Sequence, residues 1–232
     1  MKTALPEMYD AQIVTKERAT PSTYLVQLET TKPVSYQSGQ YASWLINETR
    51  RPFSFARPAN NTKVEFLIDT SPGGLASRYI SGLSIGDKVQ FLAPYGRFTV
   101  DHEDSHPLLF IATGTGIAPL RAHIYEELAK ENPRPITLVF GNRDHEHIPF
   151  FDEFTALACD KTALFTFTPT CLEPLPGWTG ECGSVADIAS RLLKPLSSFT
   201  AYICGNPAMV KDTALMLKNN SVPPERIHTE QY

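Results

Sequence analysis

The feature that most constrains this chain is a change of hydrophobic rhythm across one polar stretch, Asp101-His102-Glu103-Asp104-Ser105-His106-Pro107. Before it, apolar residues recur at every second position in short runs. Thr23-Tyr24-Leu25-Val26-Gln27-Leu28-Glu29 alternates almost without a break, the pattern of a strand with one buried face. Similar runs occupy Tyr41–Ile46, Lys63–Ile68 and Lys88–Leu92. Turn residues separate them at Ser38-Gly39, Ala59-Asn60-Asn61, Pro72-Gly73-Gly74 and Ile85-Gly86-Asp87. Short strands at this spacing predict a closed or nearly closed antiparallel barrel.

After the polar stretch the pattern is different. Leu108–Ala112 is an unbroken apolar run, suited to a parallel strand covered on both faces. Ile117, Leu120, Ile124 and Leu128 then follow at helical spacing. Strand candidates recur at Ile136–Phe140, Ala163–Phe167 and Ala201–Cys204. Between them lie helical segments with apolar faces at Phe151, Phe154 and Leu157 and at Val210, Ala214 and Leu217. This alternation predicts a parallel sheet flanked by helices. The fold class is β plus α/β: an antiparallel β-barrel domain over residues 1–102, then a Rossmann-like parallel-sheet domain over residues 103–232. The segment around Asp104 reads as a solvated hinge.

Composition removes several function classes. With 42% hydrophobic and 20% charged residues and a net charge of −4, the chain lacks the basic face of a nucleic-acid binder. No apolar run reaches the roughly 18 residues of a membrane span. Met1-Lys2-Thr3-Ala4-Leu5-Pro6 has no signal-peptide core, so a cytoplasmic location is expected. The cysteines at 159, 171, 182 and 204 form neither a C-x-x-C pair nor an iron–sulfur spacing, and are read as free thiols. His145-Glu146-His147 lacks the H-E-x-x-H pattern and is read as a solvated loop; no metal site is predicted.

One turn carries chemistry. Directly after the strand Leu108–Ala112 comes Thr113-Gly114-Thr115-Gly116-Ile117-Ala118-Pro119, and then a helix. Two glycines allow a sharp turn close to a bulky anion, and the helix N-terminus offers free N–H groups and positive dipole. The pattern is G-x-G-x-x-P rather than the G-x-G-x-x-G dinucleotide fingerprint.

Further motifs join this turn in a consistent order. Arg51-Pro52-Phe53-Ser54, Gly73-Gly74-Leu75-Ala76-Ser77, Pro94-Tyr95-Gly96-Arg97-Phe98, Gly114–Pro119, Cys204-Gly205-Asn206-Pro207-Ala208-Met209 and Glu230-Gln231-Tyr232 together resemble the ferredoxin–NADP reductase family, from about Gln12 to Tyr232. The resemblance implies an FAD-binding barrel followed by an NAD(P)-binding domain. It implies that Arg51 pairs with the flavin phosphates, Phe53 packs on the isoalloxazine after Pro52, and Ser54 hydrogen-bonds near flavin N5. Phenylalanine stands where the family commonly has tyrosine, so that hydroxyl contact is lost. The loop Gly73, Gly74, Leu75, Ala76 and Ser77 would cradle the FAD pyrophosphate, with Ile68 nearby. On the other domain Thr113, Gly114, Thr115, Gly116, Asn142, Arg143, Gly205 and Met209 would hold the pyridine nucleotide, with Cys204 near nicotinamide C4. Glu230 would handle protons, and Tyr232 would be a removable lid over the flavin.

The function so implied is an FAD-dependent oxidoreductase that moves a hydride from NADH or NADPH to flavin N5 and passes electrons to a separate acceptor, a ferredoxin or an oxygenase component. Two alternatives stand beside it: a reductase releasing free reduced flavin, and a non-catalytic FAD-bearing relay subunit. NADH is favoured, because Thr168-Pro169-Thr170-Cys171 holds no arginine where NADP-specific members have a Ser-Arg pair. Gly177-Trp178-Thr179-Gly180-Glu181-Cys182-Gly183 also resembles a segment of NADH-using oxygenase reductases. No basic patch marks where an acceptor docks, and none of these motifs encodes an oligomeric state.

Overall fold

The computed structural model describes residues 5–232; Met1–Ala4, which belong to the stretch read as lacking a signal peptide, lie outside the described residues. The chain forms two compact units, one ending at Val100 and including Arg121–Glu126, the other holding Asp101–Leu120 and Glu127–Tyr232.

The first unit is a six-stranded antiparallel sheet of β1 (Glu7–Arg18), β2 (Thr23–Thr30), β3 (Tyr41–Ile46), β4 (Thr49–Ser54), β5 (Lys63–Asp69) and β6 (Lys88–Tyr95), in the order β4-β3-β6-β1-β2-β5. Its two edges meet in a single antiparallel bridge, Phe55 to Phe66, next to a hydrogen bond from Ala56 N to Glu65 O at 2.8 Å. The alternation seen in the sequence turns Val26, Leu28, Trp44, Phe66 and Phe91 inward, where all are fully buried. The β3–β4 hairpin turns through Asn47 and Glu48, both at positive φ (44° and 64°), as a two-residue turn matched to strand twist demands. Helix α1 (Leu75–Gly82) buries Ile80 against this core.

The second unit is a six-stranded parallel sheet in the order β10-β9-β8-β7-β11-β12. Its strands are β7 (Leu108–Thr113), β8 (Ile136–Asn142), β9 (Phe165–Cys171), β10 (Glu181–Cys182), β11 (Thr200–Gly205) and β12 (Ile227–Gln231). Helices α2 (Ile117–Leu128), α3 (Phe151–Asp160), α4 (Val185–Leu192) and α5 (Pro207–Asn219) connect them. Leu109, Ile111, Val139, Ala201 and Ile203 form one buried layer under α4 and α5, as expected of parallel strands covered by helices.

The structure departs from the sequence reading in four places. β9 starts two residues late and runs to Cys171, so Thr168–Cys171 is strand rather than loop. β-Branched Thr166, Thr168 and Thr170 favour extension, and pairing with β8 carries it through Asn142–Cys171. Within the polar stretch, Asp104 is anchored rather than freely solvated. Asp104 accepts hydrogen bonds from the Thr200 hydroxyl and from His106 N–H, and its carboxylate lies 2.5 Å from His106 Nδ1. Burial alone would raise its carboxyl, but these partners hold it down at about 2. The His145–His147 segment is also ordered: His145 stacks on Trp178 with ring centroids 5.7 Å apart, and His147 Nδ1 lies 2.6 Å from Asp144 Oδ1. Finally, the C-terminal residues make a fifth parallel pairing, β12 on β11.

Candidate functional site

Strand order reverses beside β7: β8 and β9 extend the sheet one way, and β11 and β12 the other. In open parallel sheets that reversal leaves a crevice at the carboxyl ends of the strands, where ligands bind. Here the crevice has a volume of about 460 Å³ and is lined by residues at or just after the ends of β7, β8, β9 and β11 and by residues that begin α4 and α5. Ser184 caps α4 by accepting from Asp187 N at 3.1 Å, and Asn206 caps α5 by accepting from Met209 N at 2.9 Å. Both helix N-termini therefore open onto the crevice with their positive dipole ends.

Backbone rather than side chains sets how closely the turn after β7 meets the end of β11. A Cβ on Gly116 would lie 2.3 Å from Cys204 O, and one on Gly205 would lie 2.3 Å from Thr113 Oγ1. The turn after β7 and the end of β11 touch main chain to main chain, and only glycine permits that. Gly114 turns the chain at φ 55°. Thr113 Oγ1 and Asn142 Nδ2 are buried without a hydrogen-bond partner, and both residues line the crevice. Buried polar atoms left unmade cost about 1–3 kcal/mol each, so this pair fits a ligand carrying its own polar groups.

Cys204, Glu230 and Tyr232 sit on or just after the β11–β12 pair. Cys204 and Glu230 are register partners. Burial raises the Glu230 carboxyl to about 7, so it carries a proton for part of the time at neutral pH. Burial, reinforced by Glu230, pushes the Cys204 thiol well above the ordinary thiol range, so it remains a thiol. The Tyr232 hydroxyl donates to Thr113 O at 2.8 Å and accepts from Gly116 N at 2.9 Å.

In the barrel unit, the exposed run is β4. Arg50, Arg51 and Pro52 are exposed, and Phe53 and Ser54 are half-buried. Phe53 packs edge-on against Trp44 with centroids 5.6 Å apart. Gly73 stands at φ 64°, and neither it nor Gly74 has any atom within 4 Å of where a Cβ would be. Gly74 caps α1 without a side-chain hydrogen bond and no acidic residue sits in the first turn, so open space lies before uncapped helix N–H groups. That arrangement fits a pyrophosphate.

Residues 10–100 match the oxidoreductase FAD-binding domain family, and residues 110–214 match the oxidoreductase NAD-binding domain family. The chain is 31% identical to the ferredoxin–NAD(P)(+) reductase component of the naphthalene 1,2-dioxygenase/salicylate 5-hydroxylase systems of a Ralstonia species, over 93% of this chain and 66% of that protein. It is 30% identical to the reductase component of propane 2-monooxygenase from Rhodococcus jostii, over 89% of this chain and 59% of that protein. The crystal structure of the Amycolatopsis cytochrome P450 reductase GcoB superposes with a TM-score of 0.93 at 26% identity, covering 99% of this chain and 71% of that one. The chain belongs to the ferredoxin–NADP reductase family. It spans 66% and 59% of the length of the two curated relatives above.

Within this family member, the structure brings Thr113, Gly114, Asn142, Arg143 and Met209 together around one crevice, with Tyr232 at its edge. Thr115 is half-buried and outside the lining. Arg51, Phe53 and Ser54 share β4, while Gly73, Gly74, Leu75, Ala76 and Ser77 form the start of α1. Leu75 and Ala76 pack on the barrel core, and Ser77 is 6% exposed. Ile68 is 1% exposed, packed inside that core. Alternation along β5 places it inward with Phe66. Sequence reasoning missed Gly141, Ser184, Val185, Asp212 and Thr213 in the crevice wall. Ser184-x-x-Asp187 is a legible helix-start signal, but nothing local says which helix starts face a ligand.

No helix among the described residues is long and apolar enough to cross a membrane.

Proposed function

We propose that this chain is the reductase of an electron-transfer system: it takes electrons from NADH through bound FAD and hands them to a separate acceptor protein, a ferredoxin or an oxygenase component, in the cytoplasm. The observation that carries this reading is the switch-point crevice of a chain that also matches the family's FAD-binding domain. Its lining turn at Thr113 and Gly114, two buried orphan polar atoms and two helix N-termini suit a dinucleotide. The reductase components among its relatives support the same reading.

FAD, when bound, supplies the ring that accepts two electrons from a reduced nicotinamide and releases them singly. The protein supplies position and electrostatics. The Arg51 guanidinium is exposed and suited to paired phosphate oxygens. The loop from Gly73 to Ser77 offers backbone N–H groups to the same anion, and the Ser54 hydroxyl orients the ring edge. Cys204 contributes a compact neutral surface, because its thiol does not ionise near neutral pH. Glu230 titrates near pH 7 and can hold or give up a proton in the working range. Tyr232 occupies the Gly116 N–H that a nucleotide phosphate would use, so nucleotide loading includes its release.

The preference for NADH rests on charge. Arg143, a basic residue of the crevice lining, has Nε 3.6 Å from Asp144 Oδ2 and 3.8 Å from Glu173 Oε2. Asp212 lies in the same wall. These carboxylates neutralise the arginine a 2′-phosphate would need and disfavour an additional dianion.

An anaerobic visible spectrum of the desalted protein, titrated with NADH and separately with NADPH, tests this reading. A flavin band that bleaches with NADH at lower concentration than with NADPH is the expected result. A colourless protein that reduces only added flavin would establish the free-flavin alternative, and a yellow protein bleached by neither donor the relay subunit.

A further inference from the structure

Two thiols stand side by side where β9 and β10 end. Cys171 is the last residue of β9, Cys182 the last of β10, and the parallel ladder makes them register partners. Neighbouring strands lie about 4.8 Å apart, and register partners project from the same face of a sheet. A disulfide needs Cα atoms about 4.4–6.8 Å apart, which adjacent strands satisfy. Both cysteines are reduced in the structure, Cys171 buried and Cys182 exposed. Cys182 Sγ lies 3.9 Å from Gly180 O. Burial, reinforced by Asp144 and by Cys182 itself, pushes the Cys171 thiol up to about 11.

The residue after each cysteine, Leu172 and Gly183, lines the switch-point crevice. Gly183 N donates to Cys171 O at 2.9 Å, and the Thr170 hydroxyl donates to Gly183 O at 2.9 Å. The chain between the cysteines is an excursion whose Leu172 is 62% exposed at the crevice and whose Glu173 carboxylate reaches Arg143. β10 is a two-residue edge strand, and its end of the excursion is otherwise held by Trp178 Nε1, which donates to Glu181 O at 2.9 Å, and by the Arg191–Glu181 ion pair.

We propose that Cys171 and Cys182 are a reversible disulfide site, oxidised by a peroxide and reduced by a small thiol, that ties down the rim of the nucleotide crevice and thereby sets nucleotide affinity. The exposed partner reacts first. The Cys182 thiolate attacks hydrogen peroxide; an S–O bond forms, the O–O bond breaks, and the departing hydroxide takes a proton and leaves as water. The Cys171 sulfur then attacks the Cys182 sulfenic acid; the S–S bond forms, the S–O bond breaks, and a second water carries away the thiol proton. Two thiols are oxidised by two electrons and one peroxide is reduced to two waters. Cys159, exposed on α3, and Cys204, buried on β11, have no such partner in the β-ladders.

The disulfide itself does not depend on the reductase reading. The purified full chain is treated with hydrogen peroxide, free thiols are alkylated, and peptides are mapped by mass spectrometry. The expected result is a peptide pair linked through Cys171 and Cys182, released by dithiothreitol. Cys171→Ser should instead accumulate a dimedone-reactive sulfenic acid at Cys182, and Cys182→Ser should leave Cys171 unoxidised. A wild-type chain in which Cys182 over-oxidises or stays alkylatable, with no link, overturns the proposal. NADH binding is then measured by fluorescence on oxidised and reduced protein. A difference of at least about threefold, absent in Cys182→Ser, is expected; equal affinity in a linked protein overturns control of the crevice. Failure of both forms to bind NADH, with the link present, would count against the reductase reading and leave the disulfide standing.

Discussion

In the barrel, the residues that resemble the family's FAD contacts are side chains on an exposed strand and a loop: Arg51 and Pro52 are exposed, and no atom lies within 4 Å of where a Cβ on Gly73 or Gly74 would be. In the parallel-sheet unit, the residues matched to the nucleotide are tightly enclosed. Gly116 and Gly205 are buried, and an added Cβ at either would lie 2.3 Å from a neighbouring atom. The difference reflects sheet type. An antiparallel sheet leaves one face free to carry chemistry without disturbing the core, whereas a parallel sheet is covered on both faces and binds at its strand ends. Binding and stability should therefore separate by mutation in the first unit and remain coupled in the second.

The largest expected effect comes from Gly116→Ala. It should cost about 1–3 kcal/mol of stability through overpacking and weaken NADH binding together with it, read by urea unfolding and by NADH titration. Loss of binding with unchanged stability would break the comparison. Arg51→Ala should weaken FAD binding by roughly 10- to 100-fold, as expected for one charge-assisted phosphate contact. The apoprotein melting temperature should stay unchanged, because the side chain is exposed.

Glu230→Gln is expected to lower NADH-dependent turnover by roughly tenfold or more. It should also remove an inflection near pH 7 from the wild-type pH profile, where the buried carboxyl titrates. An unchanged profile would take Glu230 out of proton handling.

Asp104 tests the second unit away from the crevice. Its carboxyl is depressed to about 2 in the fold, from an ordinary value of 3.8. A depressed carboxyl stabilises the folded state fully above its unfolded value, and that contribution disappears as pH falls from about 4 towards 2. Urea unfolding of Asp104→Asn should show a loss of about 2 kcal/mol at neutral pH and a shallower acid limb than wild type. The smallest effect belongs to Gly74→Ala. With φ at −73° and nothing within 4 Å of the new methyl, stability should move by less than about 0.5 kcal/mol. Any change in FAD retention would then report contact at the loop directly.

Much of this was legible in order along the chain. Alternation in Thr23–Glu29 and the unbroken run Leu108–Ala112 follow from which faces water touches, and a sequence records that directly. β3 spans Tyr41–Ile46, the same residues as its apolar run. The glycine turn after β7 was also legible, because glycine's role there is local backbone geometry. The same signals ended β9 at Phe167, because the threonines and proline that follow look like a loop until β8 supplies a ladder. They were silent about β12, whose pairing partner lies more than twenty residues upstream.

The sequence by itself determined the two sheet types, the glycine turn and the family motifs, since each depends on residue periodicity or on short-range conformational freedom. Only tertiary structure decided that Ile68 faces the core, that Tyr232 reaches Gly116, that Asp104 is anchored by Thr200, and that Cys171 and Cys182 are neighbours. It also raised Glu230 to about 7, because burial in the fold removes water from that carboxyl. These are contacts across long loops, set by how strands are ordered in a sheet, and strand order is a property of the whole packed chain.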